Sequence, residues 1–377
     1  MLSGGGTAGH IYPALTVAEL LSAGGHEVAF VGTPDGLEAR LVPEAGVAFF
    51  ALPARGFDRS RPLSLLAAAW VIAASTLRAW LLLGREHPDV VLGFGGYVSL
   101  PVGFAAVARR IPLVLHEQNS VPGLANKALS RWARRVGITY EGSKPWLAHP
   151  ERAVLTGNPV RAEVLAAERE TARAALGLPQ DAIVLLVFGG SRGARHLNQA
   201  TIDLYSRLSE TPRLHVIHAA GSLDLANARD RLDGALEASA GKVDEWRLVE
   251  YLPDMPSAIA SADLVVARAG ATSIAEITAI GRAAVLVPYP YATDDHQTLN
   301  ARAVEEASAC MMVTDASLDS ALFADAIMRL LSDRPERERM AAASAALGRR
   351  DAAQCVQGLA VEAARGPSHE AQRKDSE

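Results

Sequence analysis

Three glycine-rich segments carry side chains able to handle a proton or an anion. The first, Gly4-Gly5-Gly6-Thr7-Ala8-Gly9-His10, has glycines at the GxGxxG spacing (Gly4, Gly6, Gly9), which by itself is a weak signal for dinucleotides. Glycines let a backbone turn tightly and approach a ligand, and the helix that follows offers unpaired N–H groups. Thr7 and His10 stand at the mouth of that helix. An imidazole there is biased neutral by the helix dipole, and a neutral imidazole can take a proton from a hydroxyl. A capping or purely structural histidine is the competing reading. The second segment, Gly189-Gly190-Ser191-Arg192-Gly193, combines N–H groups with the Ser191 hydroxyl and suits a diphosphate. The third runs from Arg268 to Glu276. There the loop can face phosphate, while Glu276, one turn into the helix, can accept from ribose hydroxyls or simply favour the helix dipole.

Other polar groups cluster at strand ends. Gly93-Phe94-Gly95-Gly96-Tyr97 is a further loop of close backbone approach, in which Tyr97 either meets a sugar or packs. His116-Glu117-Gln118-Asn119 closes an apolar strand, the edge where open α/β sheets bind ligands, although some of the four serve only to tie loops. Asp294 to Asn300, following the rigid Pro288-Tyr289-Pro290, is dense in groups that read hydroxyls. No Asp-x-Asp occurs, so no metal and no other cofactor is expected. Charge on a departing diphosphate must then be met by helix N-termini and hydrogen-bond donors.

These loops need a scaffold of buried strands. Expected strands are Glu27–Val31, Val47–Leu52, Asp89–Leu92, Pro112–His116 and Arg135–Thr139, then Ala182–Phe188, Leu214–His218, Arg247–Tyr251, Asp263–Val266, Ala283–Val287 and Cys310–Val313. Continuous apolar runs such as AIVLLVF mark strands covered on both faces, and their alternation with helices predicts an α/β fold of doubly wound parallel sheets. The GGGTAGH and GGSRGAR segments echo one another about 185 residues apart. They predict two Rossmann-like domains, 1–161 and 162–350, with a junction at Gly157-Asn158-Pro159-Val160-Arg161. Residues 366–377 read as a disordered polar tail.

The chain has 377 residues, 49% hydrophobic and 21% charged, a globular composition. Two cysteines exclude a disulfide framework and a four-cysteine zinc site. The net charge of −5 hides an asymmetry. Up to Arg161 there are 15 basic and 11 acidic side chains, a balance of +4; beyond it there are 22 and 31, a balance of −9. An anionic partner is therefore expected on the N-terminal half, and no nucleic acid is expected. Leu63 to Leu83 holds one charge, Arg78, and is long enough to span a bilayer, but Arg78, Ser64, Ser75 and Thr76 dilute it. With Arg55, Arg59, Arg61 and Arg85 around it, it reads as a helix lying on an anionic membrane surface, or else as a core helix buried all round. No signal peptide is read at the start, which implies the cytoplasm. Only Met1 and Leu2 precede the first loop as strand, so the start reads as truncated, with strand neighbours left unpaired.

GGGTAGHIYPAL, VLGFGGYVSLP, LHEQNSVPGLANK, GNPVR, FGGSRGARHLNQ, RAGATSIAEI and DDHQTLNA occur in this order. Together, from Gly4 to about Arg365, they resemble the MurG family of glycosyltransferases. The resemblance implies the GT-B fold, two Rossmann-like domains facing across a cleft, in a peripheral enzyme on the cytoplasmic face of the bacterial membrane. It implies inverting transfer of N-acetylglucosamine (GlcNAc) from UDP-GlcNAc to the C4 hydroxyl of N-acetylmuramate (MurNAc) in lipid I, giving lipid II for peptidoglycan, within a possible cell-wall synthesis complex. It implies that Leu252 offers backbone to uracil with Arg161 nearby, that Glu276 binds ribose, and that Ser191 with Gly270, Thr272 and Ser273 binds diphosphate. Gln297 and Asn300 would read the GlcNAc hydroxyls. Thr7, Gly9, His10, Gly95, Gly96, Tyr97 and Asn119 would hold the acceptor, with His10 as the general base, and a helix near 351–365 would cross back onto the N-terminal domain. Ala8, Ala269, Ser273 and His296 depart from the family's usual residues. Competing readings are another nucleotide-sugar transferase or epimerase of the same fold, a membrane scaffold without chemistry, and a dehydrogenase.

Overall fold

The structure is a computed structural model that describes residues 1–54, 62–190, 193–239 and 242–365, with the backbone alone for 62–69. Thirteen strands are described. In the first sheet they are β1 (Leu2–Ser3), β2 (Ala29–Gly32), β3 (Ala48–Ala51), β4 (Val91–Gly93), β5 (Leu113–Glu117), β6 (Arg135–Ile138) and β7 (Ala153–Leu155). The second holds β8 (Ile183–Phe188), β9 (Leu214–Ala219), β10 (Glu245–Val249), β11 (Leu264–Arg268), β12 (Ala283–Val287) and β13 (Met311–Met312). All pairings are parallel, in the orders β3-β2-β1-β4-β5-β6-β7 and β10-β9-β8-β11-β12-β13. The expected α/β class with doubly wound parallel sheets is therefore what the chain adopts.

Both sheets are covered on two faces, as the apolar runs require. Along β8, Leu185 and Val187 enter one core while Val184, Leu186 and Phe188 enter another. The period of two sends alternate side chains to opposite layers of helices. β7 was not expected from the sequence, because AVL is too short to stand out. β10 lies two residues earlier than expected.

Two compact units divide the chain: Met1–Arg161 with Arg350–Glu377, and Ala162–Arg349. In the first unit, the helix Ala352–Arg365 packs on the helix α1 (Ala8–Ala23) and on β5 and β6. Val356 and Ala360 enter the core beside Ala14 and Val17. Gln357 donates to the Leu20 carbonyl at 3.0 Å. Residues 366–377 lie outside the described residues.

The short β1 departs from expectation on its β4 side. The Met1 amine donates to Val90 O at 2.9 Å, Leu92 N to Met1 O at 2.9 Å and Phe94 N to Ser3 O at 2.7 Å. Parallel bonds slant between strands, so three residues hold β4 over five positions. The loop after β1 therefore leaves a strand that is paired on both sides.

After β2 comes α2 (Glu38–Glu44), and after β3 comes α3 (Pro62–Glu86), which packs against α4 (Ser99–Ala108). Ser75, Ala79 and Leu83 of α3 recur every four residues and are buried. On its other side Trp70 is 76%, Leu77 60% and Leu81 58% exposed. The helix is thus a surface helix with an apolar outer face, not one buried all round. The Arg109 guanidinium lies 3.9 Å from the centre of the Trp80 ring. Among the described residues no helix is long and apolar enough to cross a membrane. Arg55, Arg59 and Arg61 lie outside the described residues.

Candidate active site

In an open parallel sheet, ligands bind at the carboxyl ends of the strands, where the strand order reverses. In the first unit that point lies between β1 and β4, so the loops after these strands, Gly4–Thr7 and Phe94–Tyr97, face each other. Gly96 has φ +82°, and a Cβ there would lie 2.4 Å from Gly5 O. Glycine is thus required both for the backbone angle and for the close approach. Ser99, opening α4, bridges the pair, its one hydroxyl proton shared between Gly95 O at 2.7 Å and Ser3 O at 3.0 Å.

His10 sits in the first turn of α1, with Thr7 at the N-cap. Its Nδ1 lies 2.9 Å from the Gly5 carbonyl and 3.2 Å from Thr7 Oγ1. A carbonyl only accepts, so Nδ1 carries the proton and Nε2 is the basic nitrogen. The opposite edge of the ring faces Gly95, where a Cβ would meet Nε2 and Cδ2 at 3.3 Å. The structure therefore joins Thr7 and Gly95 around the His10 imidazole, with Gly96 against Gly5 in the same pair of loops. Gly9 lies between Thr7 and His10 in the same turn, and Tyr97, 54% exposed, follows the turn.

The four polar residues closing β5 divide by role. His116 is fully buried, with Nε2 on Gly157 O at 2.9 Å and Nδ1 against Gln118 Nε2 at 3.1 Å. Burial lowers it to about 4; the Gly157 carbonyl opposes that, and nearby His10 lowers it further. Glu117 ties the following loop, accepting from Asn119 N (3.0 Å), Gly123 N (3.1 Å) and Asn126 Nδ2 (2.8 Å). Asn119 is half-buried and its carbonyl accepts from Ser143 Oγ at 2.9 Å.

The corresponding reversal in the second unit lies between β8 and β11. Ser191 and Arg192 lie outside the described residues. Around them, Gly190 and Gly193 have φ +91° and +78°. After β11, Gly270 caps the helix Ala271–Ile280, so Gly270, Thr272 and Ser273 share its first turn. Thr272 Oγ1 is buried and makes no hydrogen bond among the described residues. It adds a donor to the helix N-terminus, a setting suited to an anion. Glu276 is only 7% exposed. The reading of an exposed carboxylate that merely favours the dipole is therefore set aside.

Two other expectations change in character. Gln297 Oε1 accepts from Tyr289 N at 2.9 Å, which ties the helix His296–Glu306 to the loop after β12. Asn300 is fully buried and donates to Ala269 O at 3.2 Å, so it holds the β11 loop from beneath instead of lying open to a ligand. Leu252 is half-buried after β10. Arg161 belongs to the first unit, its guanidinium 5.1 Å from the Tyr12 ring centre, while the rest of the donor set lies in the second.

Sequence reasoning missed Glu38. Its carboxylate is fully buried beneath the first loop and accepts from Thr33 Oγ1 (2.6 Å), Thr33 N (3.0 Å) and Gly6 N (3.4 Å). The available signal was the trio Gly5, Gly32 and Gly36, whose added Cβ atoms would lie 2.3–2.4 Å from the Glu38 side chain. A glutamate inside the helix after β2 belongs to no motif, and nothing else in the sequence links it to a loop 32 residues away.

Twin parallel sheets, one with an imidazole at its reversal and the other with an anion-suited helix start and a buried glutamate, define a GT-B type nucleotide-sugar glycosyltransferase. The glycosyltransferase family 28 N-terminal domain matches residues 1–138 and the family 28 C-terminal domain matches residues 184–356. A Desulfitobacterium hafniense (strain Y51) protein is 40% identical over 354 residues, 93% of this chain and 95% of its own. A Halothermothrix orenii protein is 38% identical over 369 residues, 97% and 99% of the two chains. Both carry the name UDP-N-acetylglucosamine–N-acetylmuramyl-(pentapeptide) pyrophosphoryl-undecaprenol N-acetylglucosamine transferase. The crystal structure of Acinetobacter baumannii MurG matches with a TM-score of 0.74 at 29% identity, covering 96% of this chain and 99% of that one. The chain belongs to the MurG family of glycosyltransferases.

Proposed function

We propose that the chain transfers GlcNAc from UDP-GlcNAc to the C4 hydroxyl of MurNAc in undecaprenyl-diphospho-MurNAc-pentapeptide (lipid I), inverting the anomeric centre and giving lipid II for peptidoglycan. The observation that carries the mechanism is the Gly5 carbonyl on His10 Nδ1, which leaves Nε2 as the base. The C4 oxygen attacks the anomeric carbon from the face opposite UDP. The new C–O bond forms as the bond to the β-phosphate oxygen breaks. The electron pair leaves with UDP, and the hydroxyl proton passes to Nε2.

Residues 1–161 with 351–365 take the acceptor: Thr7, Gly9, Gly95, Gly96, Tyr97 and Asn119 surround its sugar and diphosphate. Residues 162–350 take the donor. There the first turn from Gly270 to Ser273, with Ser191, meets the charge growing on UDP. Glu276 accepts from ribose, Leu252 offers backbone to uracil with Arg161 nearby, and Gln297 reads GlcNAc. Asn300 contributes through the loop that it holds. The exposed Trp70, Leu77 and Leu81 of α3 rest on the cytoplasmic face of the plasma membrane, where anionic headgroups meet Arg78 and Arg85. This attachment brings the enzyme to its lipid substrate and to any cell-wall synthesis complex there.

The test is UDP release from UDP-GlcNAc with lipid I in anionic vesicles. Release that requires lipid I supports the reading; release that ignores it refutes the transfer. Leu77→Ser with Leu81→Ser lowers turnover on vesicles and leaves it unchanged on a water-soluble lipid I analogue. Equal loss on both substrates refutes the membrane role of α3.

A further inference from the structure

One peptide group joins His10 to a buried carboxylate. The Gly5–Gly6 peptide accepts the His10 Nδ1–H through its carbonyl at 2.9 Å and donates its N–H to Glu38 Oε2 at 3.4 Å. The other carboxylate oxygen is held by Thr33 N at 3.0 Å and Thr33 Oγ1 at 2.6 Å. Glu38 has no exposed surface, and Gly5, Gly32 and Gly36 leave the space that it fills. Burying a carboxylate is costly even when its lone pairs are satisfied. Here it also lies beneath the loop that we assign to an anionic acceptor. Both its oxygens accept, Oε2 from Gly6 N and Oε1 from Thr33 N and Oγ1, which a neutral amide with one acceptor oxygen cannot reproduce. A carboxylate also adds polarisation. It draws on the Gly6 N–H, makes the Gly5 carbonyl a stronger acceptor and so favours a positive charge on the imidazole, because successive hydrogen bonds strengthen one another.

We propose that Glu38 is a positioning residue of the transfer reaction: through the Gly5–Gly6 peptide it fixes the tautomer of His10 and raises its basicity. The logic is that of a base oriented by a third group, with a peptide inserted between the two. The proposal rests on the reading of His10 as the base. The titratable group whose charge reaches the ring is His116 on β5, while Glu117 on β5 is held by Asn126 and Arg161 stands over the Tyr12 ring of α1. Thr7, Gly95 and Asn126 supply neutral neighbours.

The test is kcat/KM for a soluble lipid I analogue between pH 5 and 9, using the full chain, its Glu38→Gln variant and its His10→Ala variant. Glu38→Gln moves the acid limb to lower pH and reduces kcat about tenfold or more, while KM for UDP-GlcNAc stays within about twofold. An unmoved acid limb in an active Glu38→Gln enzyme overturns the proposal. If His10→Ala retains near-normal turnover, the base reading fails first and the role of Glu38 falls with it. Should Glu38→Gln not fold, the wild-type chain still decides. With glycine-selective ¹⁵N labelling, the Gly6 amide proton moves downfield as the His10 ring takes up its proton, and a Gly6 resonance indifferent to that titration overturns the relay.

Discussion

The chain uses the same device twice, a glycine loop between the first strand of a sheet and the helix that follows, and supports the two loops differently. In the first unit a buried carboxylate holds loop backbone directly, through Gly6 N and the neighbouring Thr33 N. In the second the buried Asp224 acts through side chains. Asn198 donates to Asp224 Oδ2 at 2.8 Å and to the Ala220 carbonyl at 2.9 Å, and Arg195 pairs with Asp224 at 3.2 Å. Gly193 then passes so close to Ala220 O that a Cβ would lie 2.1 Å from it. The first arrangement spends loop N–H and C=O groups on internal partners and ends on a fixed imidazole. The second is held from its helix, and the imidazole in that helix's first turn, His196, is engaged by Asp315 at 2.9 Å and Asp319 at 3.1 Å. On the proposed reading one topology serves two tasks, proton transfer and anion binding, and the choice lies in what stands beneath the loop.

The comparison breaks most sharply at His10. His10→Ala lowers kcat by about 10²–10⁴, the usual contribution of a general base, and leaves KM for UDP-GlcNAc unchanged. Loss of donor affinity instead would mean that the two loops do not divide the labour. On the other side, Glu276→Ala raises KM for UDP-GlcNAc about 10- to 100-fold, the loss of a hydrogen bond to a charged group. It leaves the pH profile of kcat in place; a shift in that profile would place proton chemistry in the second unit.

The smallest effect tests what the two units share. His116 in β5 and His218 in β9 are each fully buried, and burial lowers both from 6.5 to about 4. Between these values the unfolded chain binds protons that the folded chain does not, so stability falls as pH falls from about 6.5 toward 4. Hydrogen exchange at pH 7 and 5 should show both β5 and β9 opening more readily in acid. His218→Gln should flatten that dependence in β9 and leave β5 as it was.

Much of this was legible in the sequence. The run AIVLLVF announced β8 because a strand covered on both faces must be apolar throughout. His10 and Glu276 stood out as polar side chains in the first turns of glycine-opened helices, beside the competing readings of a structural histidine and a carboxylate that favours the dipole. β1 and β7 were too short to show a pattern. The apolar stretch of α3 left surface and core open, since composition does not say which side is covered. Asn300, expected to read a sugar, is buried with a bond to Ala269 O, and Gln118, one of four residues of which some were expected only to tie loops, donates to Phe94 O.

The sequence by itself determined the parallel α/β class, the positions of the turns and the residue types available at each loop, since these follow from period, propensity and the special angles of glycine between near neighbours. Only the tertiary structure decided which of those residues meet. Glu38 lies 32 residues after Gly6, in the helix after β2, and reaches the first loop because β2 pairs with β1 in the register Leu2 to Phe30. Glu276 is buried and Trp70 exposed for the same kind of reason: burial is set by which helix covers which face, and that is settled by contacts between segments far apart in the chain.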